Sequence, residues 1–186
     1  MKIVDTTLNG VKLIEIERMT DERGSFARSF CSDELRDAGI DFDVHQANIS
    51  VNNLAGTVRG MHLQTMPSPE TKIVRCTRGA LFDVAVDLRP DSDTYCEWFG
   101  TQLDPGNGAA LLIPPGCAHG FQSLLDDTEV HYLMCGRYDA KAATGVRFDD
   151  PAFAIEWPMP VSSVSEKDLA WPDFDRQAGL TKGARL

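Results

Sequence analysis

The sequence predicts an all-β fold, either a sandwich or a closed barrel of short strands, with few helices. Two observations support this prediction. Between residues 44 and 136, short runs rich in aliphatic residues alternate with clusters of Gly, Pro, Asn and Asp, a pattern typical of strands joined by turns. In the first half of the chain, residues 32–39 have the best helix pattern, and that segment is short.

The N-terminal segment is predicted to form two strands and one helix. Residues 11–17 alternate apolar and polar side chains, and Asp-Glu-Arg-Gly at 21–24 predicts a turn before a second strand at 25–30. Ser32 is the predicted N-cap of the helix, acidic residues follow it, and Gly39 ends it.

The remaining chain is predicted to add eight strands and an irregular tail. The strands are expected at residues 44–51, 57–63, 73–78, 80–88, 97–103, 109–113, 120–123 and 129–136. After residue 138 the pattern weakens, and one short helix is expected near Ser165. We expect this tail to pack over the barrel.

Length and composition indicate one globular domain. The 186 residues suit a single domain, and a hydrophobic content of 42% is enough for a core. Residues 1–186 are therefore interpreted as one domain, of which residues 176–186 are polar enough to fray. The expected core contains alternating residues such as Val84, Val86, Leu111 and Ile113.

Membrane and nucleic-acid partners are not expected. No apolar run approaches the ~18 residues that span a bilayer, and the N-terminus has no secretory pattern, so the cytoplasm is the expected compartment. A formal charge of −10 disfavours binding to nucleic acid. A small anionic ligand remains compatible with this charge if a few cations line one pocket. The candidates are Arg23, Arg28, Arg59, Lys72 and Lys167.

The cysteines are interpreted as reduced and mostly buried thiols. Their number is odd and no CxxC spacing occurs, which argues against a disulfide framework or a structural zinc site. They are Cys31, Cys76, Cys96, Cys117 and Cys135.

The stretch 56–72 gathers the side chains with the most chemical potential. On a strand His62 shares one face with Gln64, whereas Met61 and Leu63 point to the other, apolar face. A hairpin-sized connection then leads to a strand that begins at Lys72, so we expect Lys72 to lie across from His62.

Two half-motifs match the cupin pattern, which places one histidine on each of two facing strands of a small barrel. They consist of Gly56 and His62, then Gly108, Pro114, Gly116 and His119. Gln64 stands where a second histidine is usual, and Glu70 is the nearest acid. This is a poor ligand set for a catalytic metal, and Lys72 would repel the ion.

Without a metal, two histidines and a lysine suit proton transfer. Imidazole titrates near neutral pH and can take a proton from carbon beside a carbonyl, while an ammonium stabilises the resulting enolate. The structural alternative is that His62 is a half-buried histidine and Lys72 a lysine at the rim.

Nine runs resemble, in order, the dTDP-4-dehydrorhamnose 3,5-epimerase family over about residues 1–175. They are residues 21–26 (DERGSF), 46–50 (QANIS), 59–64 (RGMHLQ), 72–74 (KIV), 82–89 (FDVAVDLR), 113–121 (IPPGCAHGF), 149–151 (DDP), 155–158 (IEWP) and 165–168 (SEKD). The resemblance implies a cofactor-free, metal-free, homodimeric jelly roll that inverts C3 and/or C5 of a nucleotide-linked 4-keto-6-deoxy sugar.

The resemblance also implies roles for individual residues. His62 matches the base, Asp168 its partner, Tyr132 the acid on the opposite face and Lys72 the enolate stabiliser. Arg59 and His119 match positions that bind the substrate, and Arg23, Gln46 and Asn48 match positions that hold the nucleotide. Tyr138 matches an aromatic residue that stacks on the base, Lys167 a further ligand contact, and Asp83 an acid beside the second histidine.

Each role has a plain alternative. Tyr132 fits an ordinary strand tyrosine, Asp168 the start of a helix, Asp83 a half-solvated strand, and Arg59 an exposed position. Alternative functions are a metal-dependent cupin oxygenase that uses both histidines and a non-catalytic sugar-binding cupin.

Two departures from the family leave the substrate open. Arg28, at the nucleotide end of the site, replaces a glutamate, and Ala143 stands near the place of another. The nucleobase is therefore not fixed, and epimerisation at C3 or C5 only, on another nucleotide sugar, is a further alternative.

Overall fold

The computed structural model describes residues 1–180, which form thirteen strands and two short helices. The strands are β1 Lys2–Asp5, β2 Lys12–Glu15, β3 Arg18–Asp21, β4 Gly24–Ala27, β5 Val44–Asn52, β6 Val58–Gln64, β7 Thr71–Arg78, β8 Leu81–Asp87, β9 Trp98–Leu103, β10 Ala110–Ile113, β11 Cys117–Ser123, β12 Thr128–Cys135 and β13 Ala143–Gly145. The helices are α1 Ser32–Asp37 and α2 Glu166–Leu169. The all-β prediction is confirmed.

Two antiparallel sheets pack face to face. One has the order β1-β2-β10-β7-β12-β5 and the other β13-β6-β11-β8-β9, while β3 and β4 form a separate hairpin. The cluster between the sheets includes Leu111 and Ile113 from one sheet and Phe121 from the other, each at most 1% exposed. Burial of such side chains supplies the main driving force for this packing.

A second apolar layer covers the outer face of the five-stranded sheet. Val84 and Val86 belong to this layer, with Phe153 and Trp157 from the C-terminal segment, and not to the cluster between the sheets. Strand β8 is therefore buried on both faces, and Asp83, on the inner face, is 0% exposed. The alternative in which Asp83 lies on a half-solvated strand is wrong, because the tail covers the second face of β8.

The N-terminal region differs from the prediction in detail. Strands β1 and β3 were not predicted, and the residue that caps α1 is Cys31, without a side-chain hydrogen bond, in place of Ser32. The helix still packs as its apolar residue requires, because Leu35 is buried against Ile73 on the outer face of the six-stranded sheet.

The predicted pairing of the strand at His62 with the strand at Lys72 was wrong. Strand β6 pairs with β11 and β13, whereas β7 lies in the other sheet between β10 and β12. His62 and His119 are direct partners on adjacent strands, so they do not sit on facing strands as the cupin pattern predicts. Alternation along a strand predicts faces, but it does not specify the sheet to which a strand belongs.

The tail of the described chain contacts the outer apolar layer. Leu180 packs against that layer, and the Tyr95 hydroxyl donates to the carbonyl of Arg176. The rest of the segment predicted to fray, residues 181–186, lies outside the described residues. Neither helix within residues 1–180 has the length and apolar character needed to cross a membrane. All five cysteines are free, and Cys76, Cys96 and Cys117 are buried.

Candidate active site

A cavity of about 580 Å³ opens between the two sheets and collects eight of the predicted site residues. Five come from strands of the five-stranded sheet or from helix α2, and three come from the six-stranded sheet. They are His62, Arg59, His119, Asp168, Lys167, Lys72, Tyr132 and Asn48. A pocket that combines apolar walls with converging titratable groups is the usual form of an active site.

The centre of the cavity holds a histidine–aspartate pair. Nε2 of His62 lies 2.6 Å from Oδ1 of Asp168. The Asp168 side chain is 5% exposed and that of His62 is 41% exposed, so the imidazole stands between a buried carboxylate and the cavity. A carboxylate that accepts from Nε2–H leaves Nδ1 with its lone pair, which is the arrangement of a general base.

A side-chain cap stabilises the first turn of helix α2. The Ser165 hydroxyl accepts a hydrogen bond from the Asp168 amide (3.1 Å), which satisfies one free N–H of a very short helix. The spacing of Ser165 and Asp168 therefore marks the start of a helix, and the same helix brings Asp168 to His62. The segment before it is tied down by Gln122, whose amide bonds both N and O of Met159.

The pKa of Asp168 lies below its ordinary value. Burial by itself would raise this pKa, but hydrogen bonds from His62 and the Gly60 amide, together with the charge of His62, outweigh burial. The carboxylate of Asp168 is therefore ionised at neutral pH.

Asp168→Asn is expected to lower stability in a pH-dependent way. Because the folded pKa is lowered, the contribution of Asp168 is complete above its unfolded pKa of about 3.9 and disappears as the pH falls through the folded pKa. Urea unfolding of wild type and variant from pH 6 to pH 3 measures this. The difference in free energy of unfolding should shrink at the acidic end, and a constant difference would contradict the assignment.

Lys72 reaches the cavity from the opposite sheet. Its ammonium donates to the carbonyl oxygen of His62 (3.1 Å) and pairs with Glu70 at 2.9 Å. Both side chains of this ion pair are 9% exposed. The predicted proximity of Lys72 to His62 thus occurs across the cavity and not along a hairpin.

Tyr132 lies on β12, in the sheet opposite His62. Its ring makes an edge contact with His119 at a centroid distance of 6.2 Å. Burial, and then the charge of Asp83, raise the pKa of the Tyr132 hydroxyl, against smaller opposing effects of Arg59 and Ser50. The phenol therefore keeps its proton throughout the neutral range, as an acid must.

A second histidine–aspartate pair supports the floor of the cavity. Nε2 of His119 lies 2.7 Å from Oδ1 of Asp83, and the two side chains are 5% and 0% exposed. The other carboxylate oxygen, Oδ2 of Asp83, is buried and has no hydrogen-bond partner among the described residues. Arg59 is oriented by Asn52, whose Oδ1 accepts from its Nε at 2.7 Å.

Five predicted binding residues do not line this cavity, and one of them is Asp83, which lies behind His119. Arg23 pairs with Asp21 in the β3–β4 turn and its side chain is 84% exposed, while Arg28 pairs with Glu34. Gln46 is exposed on β5, two residues from Asn48, and Tyr138 is 62% exposed beyond the end of β12. Their predicted roles remain predictions.

The sequence did not reveal the hydroxyl-bearing wall of the cavity. Ser163 and Thr57 form a parallel bridge there, and Ser165 continues the same wall. These serines lie in a segment with no strand pattern, and the only signal available was the spacing of Ser165 and Asp168.

The ligand set of the oxygenase alternative is not assembled. Glu70 accepts from Lys72 and Gln64, and neither Glu70 nor Gln64 belongs to the cavity wall. Across residues 1–180, no group of three or more His, Cys, Asp or Glu side chains has the arrangement needed to hold a metal ion.

Comparison with known proteins gives a consistent result. The family model described as dTDP-4-dehydrorhamnose 3,5-epimerase matches residues 5–176. A protein of that name from Sinorhizobium fredii is 45% identical over 165 residues, covering 88% of this chain and 85% of its own. A dTDP-4-dehydrorhamnose 3-epimerase from Streptomyces niveus is 38% identical, covering 97% and 88%.

A solved structure of a relative has the same fold as this chain. The crystal structure of dTDP-4-dehydrorhamnose 3,5-epimerase from Bacillus anthracis, with TDP and pyrophosphate bound, superposes with a TM-score of 0.88 at 38% identity, covering 93% of this chain and 99% of that one. By sequence and by structure, this chain belongs to the dTDP-4-dehydrorhamnose 3,5-epimerase family.

Proposed function

We propose that this chain inverts C3 and C5 of dTDP-4-dehydro-6-deoxyglucose to give dTDP-4-dehydrorhamnose. The observation that carries the proposal is one cavity with a base and an acid on opposite walls. His62 with Asp168 stands on one side and Tyr132 on the other, and Lys72 lies between the sheets.

The chemistry follows from this arrangement. His62 removes a proton from a carbon beside the C4 ketone, and the electrons of the broken C–H bond form an enolate. The Lys72 ammonium stabilises the negative oxygen. Tyr132 then delivers a proton to the other face of the carbon, which inverts it. The protonated His62 and the Tyr132 phenolate return to their starting states by proton exchange with solvent, and no cofactor takes part.

Binding of the nucleotide is assigned to the cations and aromatic residues around the cavity. Arg59 and Lys167 line its wall, and Tyr138 is proposed to stack on the base, because an exposed aromatic ring at a rim suits that task. In this chain Arg28 pairs with Glu34 at the surface, so it can contact a nucleotide only if that ion pair opens.

Wild-type protein in deuterated solvent is expected to incorporate deuterium at C3 and C5 of the 4-keto sugar nucleotide. Thermal shift with dTDP, UDP, GDP and CDP ranks the bases, since ligand at 100 times its Kd stabilises the folded state by about 2.7 kcal/mol. Exchange at one carbon only would support the single-centre alternative that the Streptomyces niveus relative represents. Binding without exchange at either carbon would contradict catalysis.

We also propose that the protein is a homodimer and resides in the cytoplasm. The β3–β4 hairpin pairs with neither sheet, and its Phe26 and Met19 are 68% and 66% exposed. A second copy would bury such apolar surface. Sedimentation that finds a single copy at micromolar concentration would contradict the dimer.

The proposal of a cytoplasmic location is supported by the cysteines, because five free thiols suit a reducing compartment.

A further inference from the structure

Gln64 has a side chain that the proposed chemistry does not use. It lies two residues after His62 on β6 and is 3% exposed, yet it does not belong to the cavity wall. Its Oε1 accepts from the amide of Asp139 at 2.7 Å, and its Nε2 donates to the carbonyl of Arg137 at 3.1 Å and to Glu70 at 3.0 Å. Both amide hydrogens and the carbonyl oxygen are therefore committed.

Two of these hydrogen bonds flank a single residue, Tyr138. Arg137 precedes it and Asp139 follows it, so the backbone on both sides is fixed to a buried side chain. The ring itself is 62% exposed. An exposed aromatic residue thus stands on an anchored turn.

The turn follows a strand that lines the cavity. It comes directly after β12, where Met134 lines the cavity. Close packing holds it down as well, because Gly136 has φ +112° and a Cβ atom at this position would lie 2.7 Å from the carbonyl oxygen of Pro69. On the far side the Thr65 amide donates to the carbonyl of Ala142 at 3.0 Å.

We propose that Gln64 is a positioning residue for nucleotide binding, which holds the backbone around Tyr138 so that the ring is preformed as a stacking surface for the nucleobase. This inference rests on the proposed function, which assigns the base to Tyr138. A preformed platform binds more tightly because less conformational freedom is lost when the ligand arrives.

The same geometry explains why a glutamine occupies the place where the cupin pattern has a second histidine. A planar amide offers two donor hydrogens and one acceptor at a single tip, which the two sides of this turn and Glu70 require together. An imidazole has one nitrogen on each side of its ring and does not provide this set. The position is used to clamp a turn and not to bind a metal.

A double-mutant cycle tests the inference, with the Kd for dTDP measured by calorimetry. Tyr138→Ala is expected to weaken binding by about 5- to 150-fold through loss of base stacking. Gln64→Leu should weaken binding by about tenfold, since it removes the hydrogen bonds that order the turn. In the Tyr138→Ala background, Gln64→Leu should have no further effect. With the sugar nucleotide, Gln64→Leu should raise KM and leave kcat within about twofold.

Gln122→Leu is the matched control. Gln122 is also a fully buried glutamine whose side-chain amide bonds to a backbone N–H and a backbone carbonyl. Both of these belong to Met159 and not to the turn at Tyr138. Its effect on dTDP binding should be the same with and without Tyr138→Ala. If both substitutions only loosened the fold, the two glutamine variants would respond to Tyr138→Ala in the same way. The inference predicts coupling to Tyr138→Ala for Gln64→Leu alone.

The outcomes separate this inference from the proposed function. If wild type binds dTDP but the effects of Gln64→Leu and Tyr138→Ala add fully, or if Tyr138→Ala binds normally, the positioning role is wrong while the epimerase proposal stands. If wild type neither binds nucleotides nor exchanges deuterium, the proposed function fails first. Should Gln64→Leu not fold, Gln64→Glu keeps the acceptor for Asp139 but places oxygen against Arg137 O and Glu70, and it enters the same cycle.

Discussion

His62→Ala is expected to abolish exchange of the α-hydrogens of the sugar with deuterated solvent. Loss of a positioned general base typically costs ~10²–10⁴-fold in rate. In this cavity the loss in rate should fall at the upper end of that range. The variant would keep the buried charge of Asp168 but would have no imidazole between it and the substrate to accept the proton. Proton NMR of the sugar nucleotide in D₂O follows the disappearance of the C3 and C5 hydrogens directly.

His131→Ala provides the control for this experiment. His131 lies on β12 next to Tyr132, on the strand face that points away from the cavity, and it is not part of the cavity wall. The control should exchange within about twofold of wild type, because a substitution outside the site changes no group in the transition state. If His62→Ala retained exchange near the wild-type rate, another base would have to be found, and the pairing with Asp168 would be structural.

Sequence reasoning predicted the local features of the site better than the arrangement of its sheets. Alternation along β6 correctly placed His62 on a different face from Met61 and Leu63, which are buried in the outer layer. The Ser165–Asp168 spacing correctly predicted a capped helix start. Both predictions depend on local periodicity, which is encoded within a few neighbouring residues.

The arrangement of sheets depends on contacts between distant residues and was predicted less well. The predicted hairpin placed Lys72 beside His62 on a neighbouring strand, whereas the structure brings it from the facing sheet. The alternative of a half-solvated β8 arose because nothing in its alternation shows that the C-terminal segment covers its outer face. The clamp formed by Gln64 was missed for the same reason, since its partners lie about seventy residues away.

Tyr132→Phe should separate the two halves of the reaction. The variant retains His62, Asp168 and Lys72, so formation of the enolate can continue. It removes the only group that the proposal places on the opposite face of the sugar, and inversion requires a proton delivered from that face. We therefore expect deuterium to enter at C3 and C5 while inverted product is reduced by about 10²-fold or more.

The comparison of His62→Ala with Tyr132→Phe carries the assignment further than either variant alone. The first should show neither exchange nor inversion, and the second should show exchange without inversion, because one removes the base and the other only the acid. Quantifying isotope content and product stereochemistry in the same sample distinguishes these patterns. If Tyr132→Phe inverted near the wild-type rate, the tyrosine would be structural. The acid would then be another group, or a bound water, that faces the cavity from the sheet of Tyr132, because His119 lies beside His62 on the adjacent strand β11.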